Sequence, residues 1–145
     1  MAKSNPMDAF DKLMKAAMAG DAEAQNRLGD AYALGEGIVS NPKKAVEWYS
    51  KSAAQGQTDA MGSLGFCKLC GDGAPKDMVE GARLISEAIK KGNTSGRNLY
   101  NLAACYESGE GVESDRPRAV ELYKESASKG YFKANAALRR LLKRG

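Results

Sequence analysis

From Ala24 to Gly56 the chain reads AQNRLGDAYALGEGIVSNPKKAVEWYSKSAAQG. This stretch resolves into two apolar stripes at helical spacing around a glycine-marked turn. Ala24, Leu28, Ala31 and Tyr32 share one face of a first helix; Ala45, Trp48, Tyr49, Ser52 and Ala53 share one face of a second. Between them, Gly35 and Gly37 supply the positive φ that ends a helix and tightens a turn. Asn41 is placed to cap free N–H groups of the second helix, and Pro42 takes the first helical position, where a missing N–H costs little. Small residues (Ala24, Gly29, Ala45, Ala53) let the backbones approach, and Leu28, Tyr32, Trp48 and Tyr49 fill the remaining space. Such a hairpin cannot bury its stripe alone, so neighbours must stack on it.

The neighbours are present in the chain itself. Gln57 to Gly92 repeats the unit with Leu64-Gly65, Gly71-Asp72-Gly73, Asp77, Gly81 and Leu84-Ile85. Asn93 to Gly130 repeats it with Leu102-Ala103, Tyr106, Gly109-Glu110-Gly111, Asp115, Ala119 and Leu122-Tyr123. The closing glycines Gly56, Gly92 and Gly130 are 36 and 38 residues apart, and the two extra residues fall in a lengthened loop at 92–96. Asp8 to Gly20 matches the second half of a unit and Tyr131 to Gly145 the first half. The whole chain, 1–145, is thus expected to be one domain: repeats at 21–56, 57–92 and 93–130 between half-repeat caps at 8–20 and 131–145. Helices are predicted near 7–19, 22–34, 42–55, 58–70, 77–91, 96–108, 116–129 and 132–143.

The bulk composition agrees with a folded domain. Of 145 residues, 43% are hydrophobic and 28% charged, which argues against wholesale disorder. No apolar run approaches the roughly 20 residues that span a bilayer, and the N-terminal stretch lacks the apolar core of a secretory signal. Three cysteines are too few for a disulfide framework and suit a reducing compartment. A cytoplasmic monomer is the expectation.

The pattern A-x-x-x-L-G-x-x-Y-x-x-G-x-G-x-x-x-N-P-x-x-A-x-x-W-Y-x-K-S-A-x-x-G, from Ala24 to Gly56, closely resembles the Sel-one-like repeat family, relatives of the tetratricopeptide repeats. The resemblance covers residues 8 to 145. It implies an all-α, right-handed α-α superhelix, a short solenoid of about three repeats. It also implies a bacterial protein–protein interaction module or adaptor, which could regulate or inhibit a cognate protein, with neither catalysis nor a cofactor. The second repeat departs from the pattern: Lys68 replaces the tyrosine, Leu84-Ile85 replaces Trp-Tyr, and Gly81 replaces the alanine. That unit is expected to pack less firmly than its neighbours.

Candidate chemistry is sparse. The chain has no histidine, the usual acid–base residue, and its carboxylates are scattered. Cys67-Lys68-Leu69-Cys70 falls at a helix C-terminus, where the dipole raises rather than lowers a thiol pKa. Zinc needs four ligands, and only Cys105 is available besides these two. Small core filling is the favoured reading, with metal or redox work the other. The Gly-x-Gly elements recur in register with the repeat and follow no strand, so they read as turn punctuation rather than phosphate loops. From Arg116 onward nine Lys or Arg face two Glu. The terminal helix, with Lys133, Arg139, Arg140, Lys143 and Arg144, reads as a solvated cap, a contact for an acidic partner, or a phosphate-binding patch.

A partner-binding face can be placed from the repeat register. Leu28, Leu64, Leu102 and Leu138 point into the core, so residues about two positions to either side should line the concave groove formed by the first helices. That selects Asn26 and Asp30, then Gly62, Phe66 and Leu69, then Arg97, Tyr100, Ala104 and Glu107, and finally Lys133, Arg140 and Lys143. The repeat does not require Phe66 or Tyr100. They are either binding anchors, for which exposed aromatics are enriched, or packing against neighbouring helices. Two function classes remain: a protein-binding adaptor using the groove, and a binder of nucleic acid or another polyanion using the basic C-terminal helix.

Overall fold

A computed structural model describes residues 6–143; Arg144 lies outside them. Among the described residues there are eight α-helices and no strand: α1 (Pro6–Met18), α2 (Ala22–Leu34), α3 (Pro42–Ala54), α4 (Thr58–Cys70), α5 (Met78–Lys90), α6 (Gly96–Ser108), α7 (Arg116–Ser128) and α8 (Phe132–Lys143). Each boundary falls within one residue of the sequence expectation. Every helix packs on the next in chain order, giving hairpins α2–α3, α4–α5 and α6–α7 flanked by single helices. The chain is an all-α helical-repeat superhelix.

The capping chemistry places each hairpin. Asn41, Asp77 and Asp115 accept from the backbone N–H of Lys44, Glu80 and Arg118 at 3.2, 3.0 and 3.1 Å. Asp21, Gln57 and Ser95 do the same for the first helices. Each first helix ends on a left-handed glycine, such as Gly35 at φ 74°. The second glycine of the turn has a packing role: at Gly73 (φ 78°) a Cβ would run into the Pro42 carbonyl of the preceding hairpin.

Two buried clusters run along the stack. One gathers Leu28, Tyr32, Tyr49, Ala60, Leu64 and Leu84; the other gathers Ile85, Leu99, Leu102, Leu122, Tyr123 and Leu141. The second repeat packs closely, contrary to the looser packing expected from its sequence. A Cβ on Gly65 would fall 2.7 Å from Ile85 Cγ1 and 2.8 Å from the Gly81 carbonyl, and one on Gly81 would fall 2.8 Å from the Gly65 carbonyl. The exchange of alanine for glycine and tyrosine for isoleucine therefore draws α4 and α5 together. Volume lost from side chains is recovered by backbone approach.

Candidate functional site

The even-numbered helices stand side by side. Arg97 Nη2 of α6 donates to Ser63 Oγ of α4 at 3.0 Å, and Arg140 of α8 pairs with Glu107 of α6. On each of these helices one stripe runs at spacings of four, three and four residues, and all of it except Ala137, which joins the second core cluster, lies outside the two core clusters. It comprises Glu23, Arg27, Asp30 and Leu34 on α2; Asp59, Ser63, Phe66 and Cys70 on α4; Arg97, Asn101, Ala104 and Ser108 on α6; and Lys133, Ala137 and Arg140 on α8. The outer positions of each stripe are exposed or half-buried. Ser63, Asn101 and Ala137 form its buried floor.

The predicted site residues divide on this geometry. Asp30, Phe66, Arg97, Ala104 and Arg140 lie on the stripe, with Phe66 39% exposed. Leu69 is half-buried at its edge, with its side chain over Gly81. Glu107 is also at the edge, accepting from Tyr123 Oη at 2.8 Å and from Arg140. Asn26 and Tyr100 are placed differently from the expectation. Asn26 is only 7% exposed. The Tyr100 ring sits against Tyr123 and Tyr131, with centroids 5.5 and 5.2 Å away. The corresponding Gly62 explains why: a Cβ there would strike the Asn98 amide of α6. Positions two before the core leucine therefore fill the seam between successive repeats, and only those two after it open onto the face.

Sequence reasoning passed over Glu23, Arg27, Asp59, Ser63, Cys70 and Asn101. The signal was available, since each sits three, four or seven residues from a predicted residue on the same stripe. Continuing the helical period from Asp30, Phe66 and Ala104, each along its own helix, would have found them.

The centre of the face differs chemically from its ends. In the first repeat Tyr49 Oη donates to Asp30 Oδ1 at 2.6 Å, and in the third Tyr123 Oη donates to Glu107 Oε1 at 2.8 Å. Burial and the neighbouring carboxylate push both phenols well above their ordinary pKa. The hydrogen bond from Arg140 holds Glu107 below the usual carboxylate range. In the second repeat all three positions of this pattern are apolar: Ile85 stands for the tyrosine, and Phe66 and Leu69 for the two acids. Ala88 likewise replaces the serine that in α3 and α7 donates to a first-helix carbonyl. One repeat has exchanged its polar ties for apolar surface, and Phe66 carries that surface to solvent.

The cysteines do not converge. Cys67 and Cys105 are buried, and burial pushes both thiols up to about 11; Cys70 is exposed at the end of the α4 stripe. Among the described residues no group of three or more Cys, Asp or Glu side chains is arranged to hold a metal ion. No helix there is long and apolar enough to cross a membrane.

Comparison with known proteins places this architecture. The chain is similar to a Sel1 repeat protein from Oxalobacter formigenes, at 32% identity and a TM-score of 0.80 over 94% of this chain and 55% of that one. It is similar to a protective antigen with an SLR fold from uropathogenic Escherichia coli, at 29% identity and a TM-score of 0.74 over 88% of this chain and 26% of that one. Helicobacter pylori cysteine rich protein B shares the fold at 18% identity, with a TM-score of 0.67 over 94% of this chain and 100% of that one. The chain thus spans about half and about a quarter of the first two relatives. No curated protein matches it. The Sel1 repeat family model matches residues 22–57, 58–93 and 99–131, and the chain belongs to the Sel1 repeat family.

Proposed function

We propose that this chain is a non-catalytic interaction module that binds a partner protein on the face lined by α2, α4, α6 and α8. Sel1 repeats are in general protein–protein interaction modules, which supports the coarse reading. The observation that carries the finer one is the apolar centre of the face. Phe66 is exposed where the first repeat has a hydrogen-bonded Asp30 and the third a small Ala104. Exposed aromatics ringed by polar groups are the usual anchors of protein interfaces. Asp30, Arg97, Ala104 and Arg140 form its surround, with Leu69 and Glu107 as its wall. An adaptor or inhibitor role in a reducing cytoplasm, acting as a monomer, completes the proposal; the three unpaired cysteines support that compartment.

The competing reading is a polyanion bound to α8, where Lys133, Arg139 and Lys143 are exposed. Acidic residues on the same inner face, among them Glu23, Asp30 and Asp59, oppose a phosphate chain laid along it. Pull-down from the source organism with wild-type and Phe66→Ala baits, followed by a salt titration, separates the two. A protein partner lost with Phe66→Ala and weakly dependent on salt supports the groove. Retention of nucleic acid with a steep salt slope supports α8.

A further inference from the structure

The charges on the first-helix face are sorted along the stack. At the α2–α4 end stand Glu23, Asp30, Glu36 and Asp59, of which Asp30 accepts from Tyr49 and Asp59 from Asn93. Against them are two cations, Arg27 and Lys12 of α1, which share a hollow with Glu23. Arg27, Asp30 and Glu36 line a second hollow of about 330 Å³ together with Leu13 of α1. At the α6–α8 end stand Arg97, Lys133 and Arg140 against two anions: Glu107, already engaged by Arg140 and Tyr123, and Glu110 at the turn position that Glu36 holds after α2. Between these ends lie Phe66 of α4 and Asn101, on the buried floor of the α6 stripe. Asn101 is 8% exposed, and its Nδ2 has no hydrogen-bond partner among the described residues. A buried donor of this kind is normally satisfied. On a docking face it is suited to a backbone carbonyl of the occupant.

We propose that the occupant is an extended peptide segment of mixed charge order, laid across the helices. Its basic residues sit at the α2–α4 end, an apolar side chain lies on Phe66, and acidic residues or a terminal carboxylate meet Arg97 and Lys133. This rests on the reading of the face as the docking site and adds the chemistry of the ligand. Helix spacings of about 8–10 Å make the span from α2 to α8 roughly 30 Å. An extended chain at about 3.3 Å per residue covers that in about nine residues. Opposite charge order on the two partners fixes register and excludes uniformly charged chains, including nucleic acid.

The test is selection of a random, linear, displayed 12-residue peptide library on the purified chain, with enriched peptides resynthesised. Affinities are measured by fluorescence anisotropy, and occupancy of the face by protection of the exposed Cys70 thiol from a maleimide. The expected consensus has Lys or Arg on one side of an apolar residue and Asp or Glu on the other. Such peptides should protect Cys70 and lose at least about tenfold in affinity to Arg97→Glu/Lys133→Glu, a variant whose melting temperature is checked against wild type. Peptides that protect Cys70 but show no charge order, or that bind the double variant within twofold of wild type, overturn the charge-order inference and leave the docking face standing. No enrichment, or peptides that bind without protecting Cys70, overturns both. A DNA or RNA oligonucleotide that protects Cys70 also overturns both.

Discussion

Tyr49 Oη and Asp30 Oδ1 are joined by a 2.6 Å hydrogen bond across the first hairpin, and the residues at the same two positions of the second hairpin are Ile85 and Phe66. A polar tie of the first repeat is thus replaced by an apolar pair, one buried and one facing solvent. Reinstating the tie with Phe66→Asp/Ile85→Tyr should abolish partner binding. The tyrosine must fit where α4 and α5 already touch, so some stability is lost through overpacking, roughly 1–3 kcal/mol. Urea denaturation read alongside binding separates these effects, and a folded variant that binds normally would contradict the assignment.

In the first hairpin, Tyr49→Phe removes only the hydroxyl of a buried side chain and leaves Asp30, half-buried, to find water. A hydrogen bond to a charged group contributes about 1.5–3 kcal/mol. Exposure of the carboxylate should keep the loss near the lower end. Chemical denaturation measures it, and an unchanged midpoint would show that the bond contributes nothing.

Close approach of α4 and α5 predicts strong intolerance at Gly65 and Gly81. Alanine raises helix propensity by about 0.5–1 kcal/mol relative to glycine. Here the added methyl meets a backbone carbonyl in each case, and a carbonyl cannot rotate away as a side chain would. Net destabilisation of about 1–3 kcal/mol is expected for either substitution. A raised melting temperature would refute the close packing.

Much of this was legible in the sequence, and the part that was not has a physical reason. Gly35, Asn41 and Pro42 punctuate the chain locally, so helix ends could be read from single residues. The core leucines Leu28, Leu64 and Leu102 follow from helical period. Asn26 and Tyr100 were misplaced because period alone fixes a direction relative to one's own hairpin. It does not fix where the next repeat stands, and that is set by how closely the α4 backbone at Gly62 approaches the Asn98 side-chain amide of α6. The firmness of the second repeat was hidden for the same reason: Gly81 reads as a loss of packing until Gly65 is seen opposite it. The link between Ile85, Phe66 and Leu69 needed the hydrogen bonds of Tyr49 and Tyr123, whose partners are two different positions of the first helix.

Thiol chemistry should distinguish the cysteines. Burial raises Cys67 and Cys105 to about 11, so at pH 8 only about one in a thousand of either is thiolate, besides being covered. Cys70 is exposed. Native protein should take up one maleimide equivalent at Cys70, with the other two reacting only on unfolding. Mass spectrometry of the labelled peptides reads this directly; three equivalents in the native state would contradict the burial.

The Glu107 carboxyl, lowered by Arg140, predicts an acid-side loss of stability. A carboxyl whose folded pKa is depressed contributes its full stabilisation above the ordinary carboxylate range and loses it as pH falls toward its folded pKa. Glu107→Gln should therefore destabilise at neutral pH and narrow its gap from wild type as pH drops below about 4. Melting temperatures across that range are the check, and a gap independent of pH would remove the role assigned to the pair.

The central claim is that Phe66 anchors a partner protein. It is tested most directly by the dissociation constant of the Phe66→Ala variant for the partner recovered with the wild-type chain. Phe66 is exposed, so the variant should melt close to wild type. Loss of an aromatic anchor costs about 2 kcal/mol or more, an affinity loss of roughly thirtyfold. Tyr100→Ala, which opens the seam against Tyr123 and Tyr131, should lower the melting temperature instead. Wild-type affinity in a Phe66→Ala variant with wild-type melting would contradict the account.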